Sequence, residues 1–295
     1  MPADPSPLPA LLPSRVACAT VSYYSGEHLL TLIDSLRRGT RQPEQIIVVN
    51  NAVDDELTEI RAIAGVSVLD AGRNLGYGGA INLAVEGLPE SIRWILVANP
   101  DIVVEPDTLE LLLRSAVGHG RAGALGPVLT DSTGVVYPSA RSLPSLGTGI
   151  GHALLGRRLP SNPWSRRYWG SRRMLNEPVR EVGWLSGAFV LIDRAAFDEI
   201  GGFDPGYFMY FEDVDLGRRL GDAGWANLYV TEAVVVHHGA HSTRRAAEAM
   251  NLAHHRSAYR YLAGRYHHWW QAPLRTALWF GLRLRAIATS SRHPA

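Results

Sequence analysis

The sequence predicts an α/β fold in which a mainly parallel sheet is flanked by helices. Four apolar, strand-like runs occur in the first hundred residues, at 16–23, 45–51, 66–70 and 94–98. Between them, segments 28–37 and 78–88 have the periodicity of amphipathic helices. Strands that alternate with helices in this way form parallel sheets, because each crossover helix returns the chain to the same edge of the sheet.

The composition is that of a folded globular protein. The 295 residues are 46% hydrophobic and 19% charged, which fits one large domain or a domain with an appendage. All 29 basic residues are Arg. Because Arg captures phosphates in a bidentate manner, a pyrophosphate or an anionic lipid is a candidate partner; a coding bias against Lys would explain the composition equally well. The lone Cys18 predicts a buried, inert thiol and a reducing compartment.

The chain divides into segments of different composition. Residues 1–14 are rich in Pro and predict a disordered tail rather than a signal peptide. Residues 15–245 would form the main domain. Within it, the basic stretch 139–180 is predicted to be a mobile loop or an insertion that faces the acceptor; the alternative is a solvated basic linker. Residues 246–295 have a helical pattern in which Arg alternates with Trp, Phe and Leu, which suits an interfacial helix or a helix packed on the domain. No apolar run is long enough to cross a bilayer.

Polar residues follow each strand-like run. The segments 22–24, 50–51, 73–76 and 99–101 all fall where a strand is predicted to end. In parallel α/β sheets, ligands bind beyond the carboxyl ends of the strands. The sequence therefore predicts a binding site at this edge of the sheet.

A second candidate site is the acidic cluster Glu212, Asp213 and Asp215, which follows the aromatic run 208–211. Three carboxylates within four residues repel one another unless a cation, a base or a proton-transfer role offsets the charge. The alternative is the acidic first turn of a helix, where the dipole favours anions. Together with Asp101, the cluster indicates a metal-assisted group transfer with a separate general base.

Five motifs, in this order, resemble those of one known family: Thr-Val-Ser-Tyr at 20–23, Asn-Asn-Ala at 50–52, Arg-Asn-Leu-Gly-Tyr-Gly-Gly-Ala-Ile-Asn at 73–82, Asn-Pro-Asp at 99–101, and Phe-Glu-Asp-Val-Asp-Leu at 211–216. Over residues 15–245 the chain resembles the inverting glycosyltransferases of family 2, which have the GT-A fold. Within that family it is most similar to the rhamnosyltransferases that build polyprenyl-diphosphate-linked cell-wall or O-antigen linkers. The Asn-Pro-Asp form and the segment 237–242 point to this group.

The resemblance implies a nucleotide-diphosphate sugar as donor. The positions that match the family's donor-binding residues are Ser22, Tyr23, Asn50, Asn74, Gly76, Asn99 and Asp101. Asn50 stands where the family usually has the Asp that contacts the base, so the base preference stays open. The glycines of the 74–79 loop would allow close backbone approach to ribose or phosphate; an ordinary Gly-rich helix start is the alternative.

The resemblance also implies a divalent cation, Mg²⁺ or Mn²⁺. Asn99 replaces the first acid of the family's Asp-x-Asp motif, so Asp101 would carry the main contact to the metal. His237 matches a downstream His that completes this site in some members. A structural His at a strand end is the alternative.

For catalysis, the resemblance assigns Asp213 as the general base that deprotonates the acceptor hydroxyl. Glu212 would orient the acceptor or tune its neighbour. Trp184 matches the acceptor-side wall of the family pocket, where an aromatic ring packs on a sugar; core packing is the alternative.

The implied partners are dTDP-rhamnose and a polyprenyl-diphosphate-linked N-acetylglucosamine, at the inner face of the plasma membrane, with no nucleic acid and no signal for an oligomeric state. Three alternatives stay open. The donor could be a UDP-hexose or a galactofuranose donor, or the chain could be a catalytically silent membrane-associated protein that binds sugar nucleotides. The third alternative is a nucleotidyltransferase. Such an enzyme normally has a basic, Gly-rich phosphate loop near the first strand, and the segment 22–26 lacks the basic residues.

Overall fold

The structure is a computed structural model that describes residues 15–145, 177–239 and 247–290. Its strands are β1 Val16–Ser22, β2 Gln45–Asn50, β3 Val66–Asp70, β4 Trp94–Ala98, β5 Ile102–Val104, β6 Ala122–Thr130, β7 Val136–Tyr137, β8 Ala140–Arg141, β9 Val179–Val182, β10 Trp184–Leu185, β11 Phe189–Asp193 and β12 Ala226–His237. Most of them form one sheet in the order β3-β2-β1-β4-β11-β6-β12-β5, with β7 beside β6 and β9 beside β12. Strands β8 and β10 pair separately.

The helices are α1 Gly26–Arg37, α2 Thr58–Arg61, α3 Gly76–Glu86, α4 Thr108–Val117, α5 Arg194–Glu199, α6 Glu212–Asp222, α7 Ala247–Arg265 and α8 Ala272–Ser290. A short 3-10 turn, Trp269–Gln271, joins the last two. The four strands and two helices predicted in the first hundred residues are present, with ends that differ by up to two residues. The α/β fold with a C-terminal helical appendage is therefore confirmed.

The first half of the sheet is parallel. Strand β1 pairs with β2 and with β4, and β2 pairs with β3, all in the same direction. The register aligns Ser22 with Asn50 and Asn50 with Asp70. The polar residues that end these strands therefore lie side by side along one edge of the sheet, as the sequence predicts.

Helices cover both faces of the sheet, and the side chains of each strand alternate between two apolar cores. Cys18 and Val48 belong to the core that also contains α1 and α4, whereas Ala19 and Val49 belong to the core beneath α3 and α6. This alternation is the two-residue period of a strand buried on both sides. Cys18 is fully buried, and burial raises the pKa of its thiol to about 12, which agrees with the prediction of an inert cysteine.

The second half of the sheet is mixed. Strand β11 runs antiparallel to both β4 and β6, and the long β12 is parallel to β6 but antiparallel to β5. The pairing of β12 with β5 places His237 opposite Ile102. A residue far along the chain is thereby brought next to the Asn-Pro-Asp turn that precedes β5.

The appendage consists of α7 and α8, which pack against each other. Helix α7 also contacts the main domain: Arg260 forms an ion pair of 2.9 Å with Asp204, and Tyr261 is buried beside Tyr207 and Val214. In the part of the chain that the structure describes, no helix is both long and apolar enough to cross a membrane. The segment predicted as a Pro-rich tail, 1–14, and most of the predicted basic loop, 146–176, lie outside the described residues; the two ends of that loop enter β8 and β9.

Candidate active site

The donor-side edge of the sheet begins at the end of β1. Ser22 is fully buried, and its hydroxyl Oγ accepts a hydrogen bond of 3.4 Å from the backbone N–H of Ser25. Tyr23, the next residue, is 43% exposed and stacks edge-on with Tyr24 at 4.9 Å. Of the two residues predicted to bind the donor here, Ser22 therefore shapes the turn, and Tyr23 offers an aromatic ring to a ligand.

Asn50 lies at the end of β2, and its amide is engaged within the protein. The Nδ2 group donates to the backbone carbonyl of Asp55 at 2.5 Å and to Asp70 Oδ1 at 3.0 Å, while Oδ1 accepts from the backbone N–H of Ala52 at 3.3 Å. Asp70 also pairs with Arg61 at 2.5 Å. These hydrogen bonds from Asn50 and Arg61 lower the pKa of Asp70. An exposed carboxylate therefore stands beside the position where the family usually has its base-contacting Asp.

Asn51 fastens the loop that precedes α3. Its Nδ2 donates to Asn74 Oδ1 at 3.0 Å and to the carbonyl of Gly76 at 3.2 Å, and its Oδ1 accepts from the backbone N–H of Leu75 at 2.9 Å. Asn74 Oδ1 also accepts from the backbone N–H of Gly76 at 2.9 Å. The polar atoms of Asn51 thus join the end of β2 to the loop that leads into α3, and Asn74 serves the shape of this loop.

Gly76 is the point where this loop meets the chain that leads into α6. Its φ of +74° lies in the left-handed region, and a Cβ atom there would collide with the backbone of Phe208. The next backbone N–H, that of Tyr77, donates to the carbonyl of Phe208 at 3.1 Å. The close approach that glycine permits here is therefore an approach of two backbone segments.

Asp101 and His237 are brought together as the sequence predicts for a metal site. His237 Nε2 lies 3.2 Å from Asp101 Oδ1, and the backbone N–H of His238 donates to the carbonyl of Asp101 at 3.1 Å. Burial alone would raise the pKa of Asp101, but its hydrogen bond and charge interaction with His237 hold that pKa below its ordinary value.

The separation of these two atoms fits a divalent cation. A carboxylate oxygen and an imidazole nitrogen face each other at 3.2 Å, and both are donor atoms that Mg²⁺ or Mn²⁺ accepts. Among the described residues, no group of three or more His, Cys, Asp or Glu side chains could hold a metal. A cation held by Asp101 and His237 would therefore complete its shell with phosphate oxygens and water.

The acidic pair Glu212 and Asp213 opens helix α6. Glu212 is buried, and its Oε2 has no hydrogen-bond partner among the described residues. Asp213 receives two backbone N–H groups: Gly187 donates to Oδ2 at 3.1 Å, and Val214 donates to Oδ1 at 2.8 Å. Two such donors favour the ionised form of a carboxyl group, whereas an unpartnered buried carboxyl favours the neutral form.

The two carboxyl groups therefore divide one negative charge unequally. Burial, and then the charge of Asp213, raises the pKa of Glu212 to about 8. Burial also raises the pKa of Asp213, but the N–H groups of Gly187 and Val214 and the charge of Arg141 oppose that rise. The two N–H groups thus favour the charge on Asp213, whereas burial without a partner favours the proton on Glu212, and a general base needs the charged form.

Arg141 is a site residue that sequence reasoning missed. It lies in β8, opposite Trp184 of β10, and is buried, with its guanidinium 5.5 Å from the Trp184 ring. In the sequence it belongs to the stretch read as a basic loop, so no local signal separates it from the other Arg residues there. Trp184 is partly buried, and its Nε1 donates to the carbonyl of Ser142 at 3.2 Å.

The third acid of the cluster has a structural role. Asp215 Oδ1 lies 2.9 Å from Arg218 Nη2, and Asp215 Oδ2 lies 2.6 Å from Arg219 Nε. Arg219 also donates from Nη1 to the carbonyl of Ile200 at 2.8 Å. Asp215 is therefore paired with two Arg residues of its own helix, and Arg219 anchors α6 to the chain after α5.

Tyr77, a second residue missed from the sequence, lies among the acids of both predicted sites. Its hydroxyl donates to the carbonyl of Gly187 at 2.7 Å. Burial first, and then the charges of Glu212, Asp213 and Asp101, raise the pKa of this hydroxyl well above its ordinary value. The charges of both predicted sites therefore act on one tyrosine.

A second contact joins the same regions. The backbone N–H of Asn99 donates to the carbonyl of Ala188 at 2.8 Å, and Ala188 follows directly after Gly187, which binds Asp213. The Asn-Pro-Asp turn and the acidic pair are thus held by adjacent residues of one segment. A cavity of about 480 Å³ near Trp94, Arg194 and Trp225 is lined by none of the predicted site residues.

A parallel sheet edge, the sugar-nucleotide loop predicted at 74–79, an Asp–His pair and two adjacent carboxyl groups are the features expected of a GT-A glycosyltransferase. Comparison with known families agrees with this class. The chain belongs to the glycosyltransferase-like family 2, whose family model matches residues 13–259. The family predicted from the five motifs is confirmed.

Known relatives support the same assignment, and a solved structure has the same fold. The chain is 44% identical over 277 residues to the N-acetylglucosaminyl-diphospho-decaprenol L-rhamnosyltransferase of Mycobacterium tuberculosis, covering 90% of each protein. It is 29% identical over 250 residues to the rhamnosyltransferase WbbL of Escherichia coli, covering 82% of this chain and 90% of that protein. The mannosyltransferase PcManGT of Pyrobaculum calidifontis, solved with GDP-Man and Mn²⁺, has a similar fold, with a TM-score of 0.55 and 13% identity over 95% of this chain and 76% of that one.

Replacing the proposed base tests its role directly. Asp213→Asn keeps the size of the side chain but removes the ability to accept a proton, so kcat should fall by about 10²- to 10⁴-fold. The KM for the donor should stay near that of the wild type. Steady-state kinetics measure both, and Asp222→Asn, the same change at an exposed position of α6, serves as the matched control. An Asp213→Asn enzyme with kcat close to that of the control would contradict the assignment.

The protonation state of Glu212 predicts how stability changes with pH. Its pKa is about 8 in the folded protein and about 4.3 in an unfolded chain. The stability that a neutral Glu212 contributes is therefore complete below the unfolded pKa and is lost as pH rises through the folded pKa. Glu212→Gln, which stays neutral, should gain thermal stability relative to the wild type between pH 5 and pH 9. A difference in Tm that does not change with pH would show that Glu212 is ionised in the folded protein throughout.

Proposed function

We propose that this protein transfers L-rhamnose from dTDP-rhamnose to a polyprenyl-diphosphate-linked N-acetylglucosamine, with inversion at the anomeric carbon. The observation that carries the reaction class is the Asp213 carboxyl with its two backbone N–H donors, beside the buried and unpartnered Glu212 and next to the turn that bears Asp101. The choice of sugar and acceptor rests on the identity of 44% to the mycobacterial rhamnosyltransferase over 90% of both chains.

Asp213 acts as the base in a single displacement. Its carboxylate accepts the proton of the acceptor hydroxyl while that oxygen forms a bond to the anomeric carbon of the donor. The bond from that carbon to the phosphate oxygen breaks at the same time, and the nucleoside diphosphate leaves from the opposite face. No covalent intermediate is needed, so one well-placed carboxylate is sufficient. The neutral Glu212 can donate a hydrogen bond to the acceptor without repelling the charge on Asp213.

The donor binds, in this proposal, along the carboxyl ends of β1 to β4. Tyr23 offers its ring to the base, and Asp70 beside Asn50 offers a carboxylate that accepts a hydrogen bond from an imide N–H of a pyrimidine. Asp101 and His237 would hold Mg²⁺ or Mn²⁺ next to the diphosphate. When bound, this cation supplies positive charge that stabilises the departing nucleoside diphosphate.

The acceptor requires a membrane surface, and helix α8 has a face suited to one. Leu274, Leu278 and Leu282 lie on its more buried side, whereas Phe280 and Leu284 lie on the opposite side and are 56% and 66% exposed. From residue 249 to the end of the chain there is no Asp or Glu, and seven Arg residues occur. An apolar face within a basic, acid-free segment complements a bilayer of anionic lipids. We place the enzyme at the inner face of the plasma membrane.

A panel of donors tests the proposed substrate. The purified full-length chain, with Mg²⁺ or Mn²⁺ and a lipid-diphosphate-linked N-acetylglucosamine, should turn over dTDP-rhamnose about a hundredfold or more faster than UDP-hexoses or a galactofuranose donor. The anomeric configuration of the product, read by NMR, should be inverted. Faster turnover of any other donor would replace dTDP-rhamnose in the proposal, and a retained configuration would contradict the single displacement.

Vesicle binding tests the proposed membrane face. Burial of one Leu side chain contributes about 1.5–3 kcal/mol, so Leu284→Glu should lower partitioning into vesicles that contain phosphatidylglycerol by about tenfold or more. Val117→Glu, which places the same charge on a similarly exposed residue of the main domain, is the matched control. Equal partitioning of the two variants would contradict α8 as the docking element and would leave the donor test unaffected.

A further inference from the structure

The chain enters the acidic pair through two residues with an unusual backbone. Tyr210 and Phe211 both have φ of +66°, in the left-handed region that residues with a Cβ atom seldom adopt. Glu212 and Asp213 follow directly. Such a conformation persists where the surrounding structure holds it, and it commonly occurs at functional sites.

Helix α7 of the appendage contacts this segment residue by residue. Ser257 Oγ donates to the carbonyl of Met209 at 2.9 Å. The ring of His254 lies edge-on to Tyr210 and to Phe211, with centroids 5.4 and 5.6 Å away. The helix therefore contacts the left-handed pair and the residue before it.

A second aromatic contact joins α7 to this turn. The ring of Tyr261, one turn beyond Ser257 on α7, lies 5.7 Å from Phe211 and is itself buried. On the other side, the carbonyl of Phe208 accepts the backbone N–H of Tyr77. The turn at 208–211 is thus held between the sugar-nucleotide loop and α7.

The direction of this turn decides where the acids point. Residue 211 is the last before α6, so its φ and ψ set the path of the first helical turn, which carries Glu212 and Asp213. If the turn relaxed to negative φ, the hydrogen bond from Gly187 to Asp213 would lose its geometry. A displacement of about 1 Å at a reacting group can cost about 10²-fold in rate.

We propose that α7 is a positioning element for catalysis: Ser257, His254 and Tyr261 hold Tyr210 and Phe211 in the left-handed conformation and thereby align Asp213 with the acceptor. These three residues touch neither the donor nor the acceptor in this proposal. The kinetic part of the inference rests on the proposed function, whereas the conformational part concerns the protein alone.

Removing the hydrogen bond to Met209 tests the inference. Ser257→Ala should lower kcat by about tenfold or more, with little change in the KM for the donor. Amide hydrogen exchange over residues 208–215, measured without substrates, should become faster. Thr276→Ala is the matched control, because Thr276 Oγ1 bonds only to the carbonyl of Ala272 within α8. Equal effects of the two variants on kcat and on exchange would overturn the inference.

A rescue variant separates positioning from general loss of structure. Asn tolerates the left-handed region better than Tyr, so Tyr210→Asn in the Ser257→Ala background should restore part of kcat and slow the exchange at 208–215. A double variant that is no better than Ser257→Ala would count against the conformational role. If the wild type turns over no donor of the panel, the proposed function fails, and the exchange measurement still decides whether α7 holds the turn.

Discussion

Two consecutive carboxyl groups lie side by side at the start of α6, the buried one of Glu212 and the partly buried one of Asp213, and burial raises the pKa of both. Mutual repulsion and burial oppose a second charge there, whereas two backbone N–H groups stabilise the first one on Asp213. In the proposed mechanism, the base is the carboxyl group that receives these N–H groups. Everything that fixes the position of Gly187 and the start of α6 also fixes the protonation state of the site.

On one side of the acidic pair, the sheet holds Gly187 in position. Gly187 lies just before β11, which is paired between β4 and β6 in the centre of the sheet, and the neighbouring Ala188 is bound by the backbone of Asn99. The turn that carries Asp101 and the donor to Asp213 are consequently parts of one rigid edge. On the other side, the close backbone contact of Gly76 with Phe208 connects the sugar-nucleotide loop with the acidic helix. Donor-side and acceptor-side elements thus have a common frame.

Much of this arrangement was predictable from local pattern. The β-α alternation and the polar residues after each strand follow from periods of a few residues, and they correctly placed Ser22, Asn50 and Asn99 along one edge. The proximity of Asp101 and His237 was also anticipated, through resemblance to a family. Local pattern carries no information on the partner of a buried polar group. The internal hydrogen bonds of Asn50 and those between Asn51 and the 74–76 loop were therefore not predicted.

Residues that enter the site through long-range pairing were missed for the same physical reason. Arg141 reaches Asp213 because β8 pairs with β10, across 42 intervening residues that look like a basic loop. The left-handed pair Tyr210 and Phe211 was likewise invisible, since aromatic residues normally avoid that region and nothing in the composition signals the exception. Tertiary contacts impose this backbone, and only the folded chain reveals it.

The stacking of α8 on α7, and of α7 on the turn before Glu212, has a thermodynamic consequence. A ligand that orders α8 also restricts α7 and the turn at 208–211. Less conformational entropy is then lost when that turn becomes fixed. Linkage makes this effect mutual, so occupation of the sugar site would in turn strengthen attachment at the outer helix. With α8 as the proposed docking element, the enzyme would dissociate most slowly from the membrane while its donor is bound.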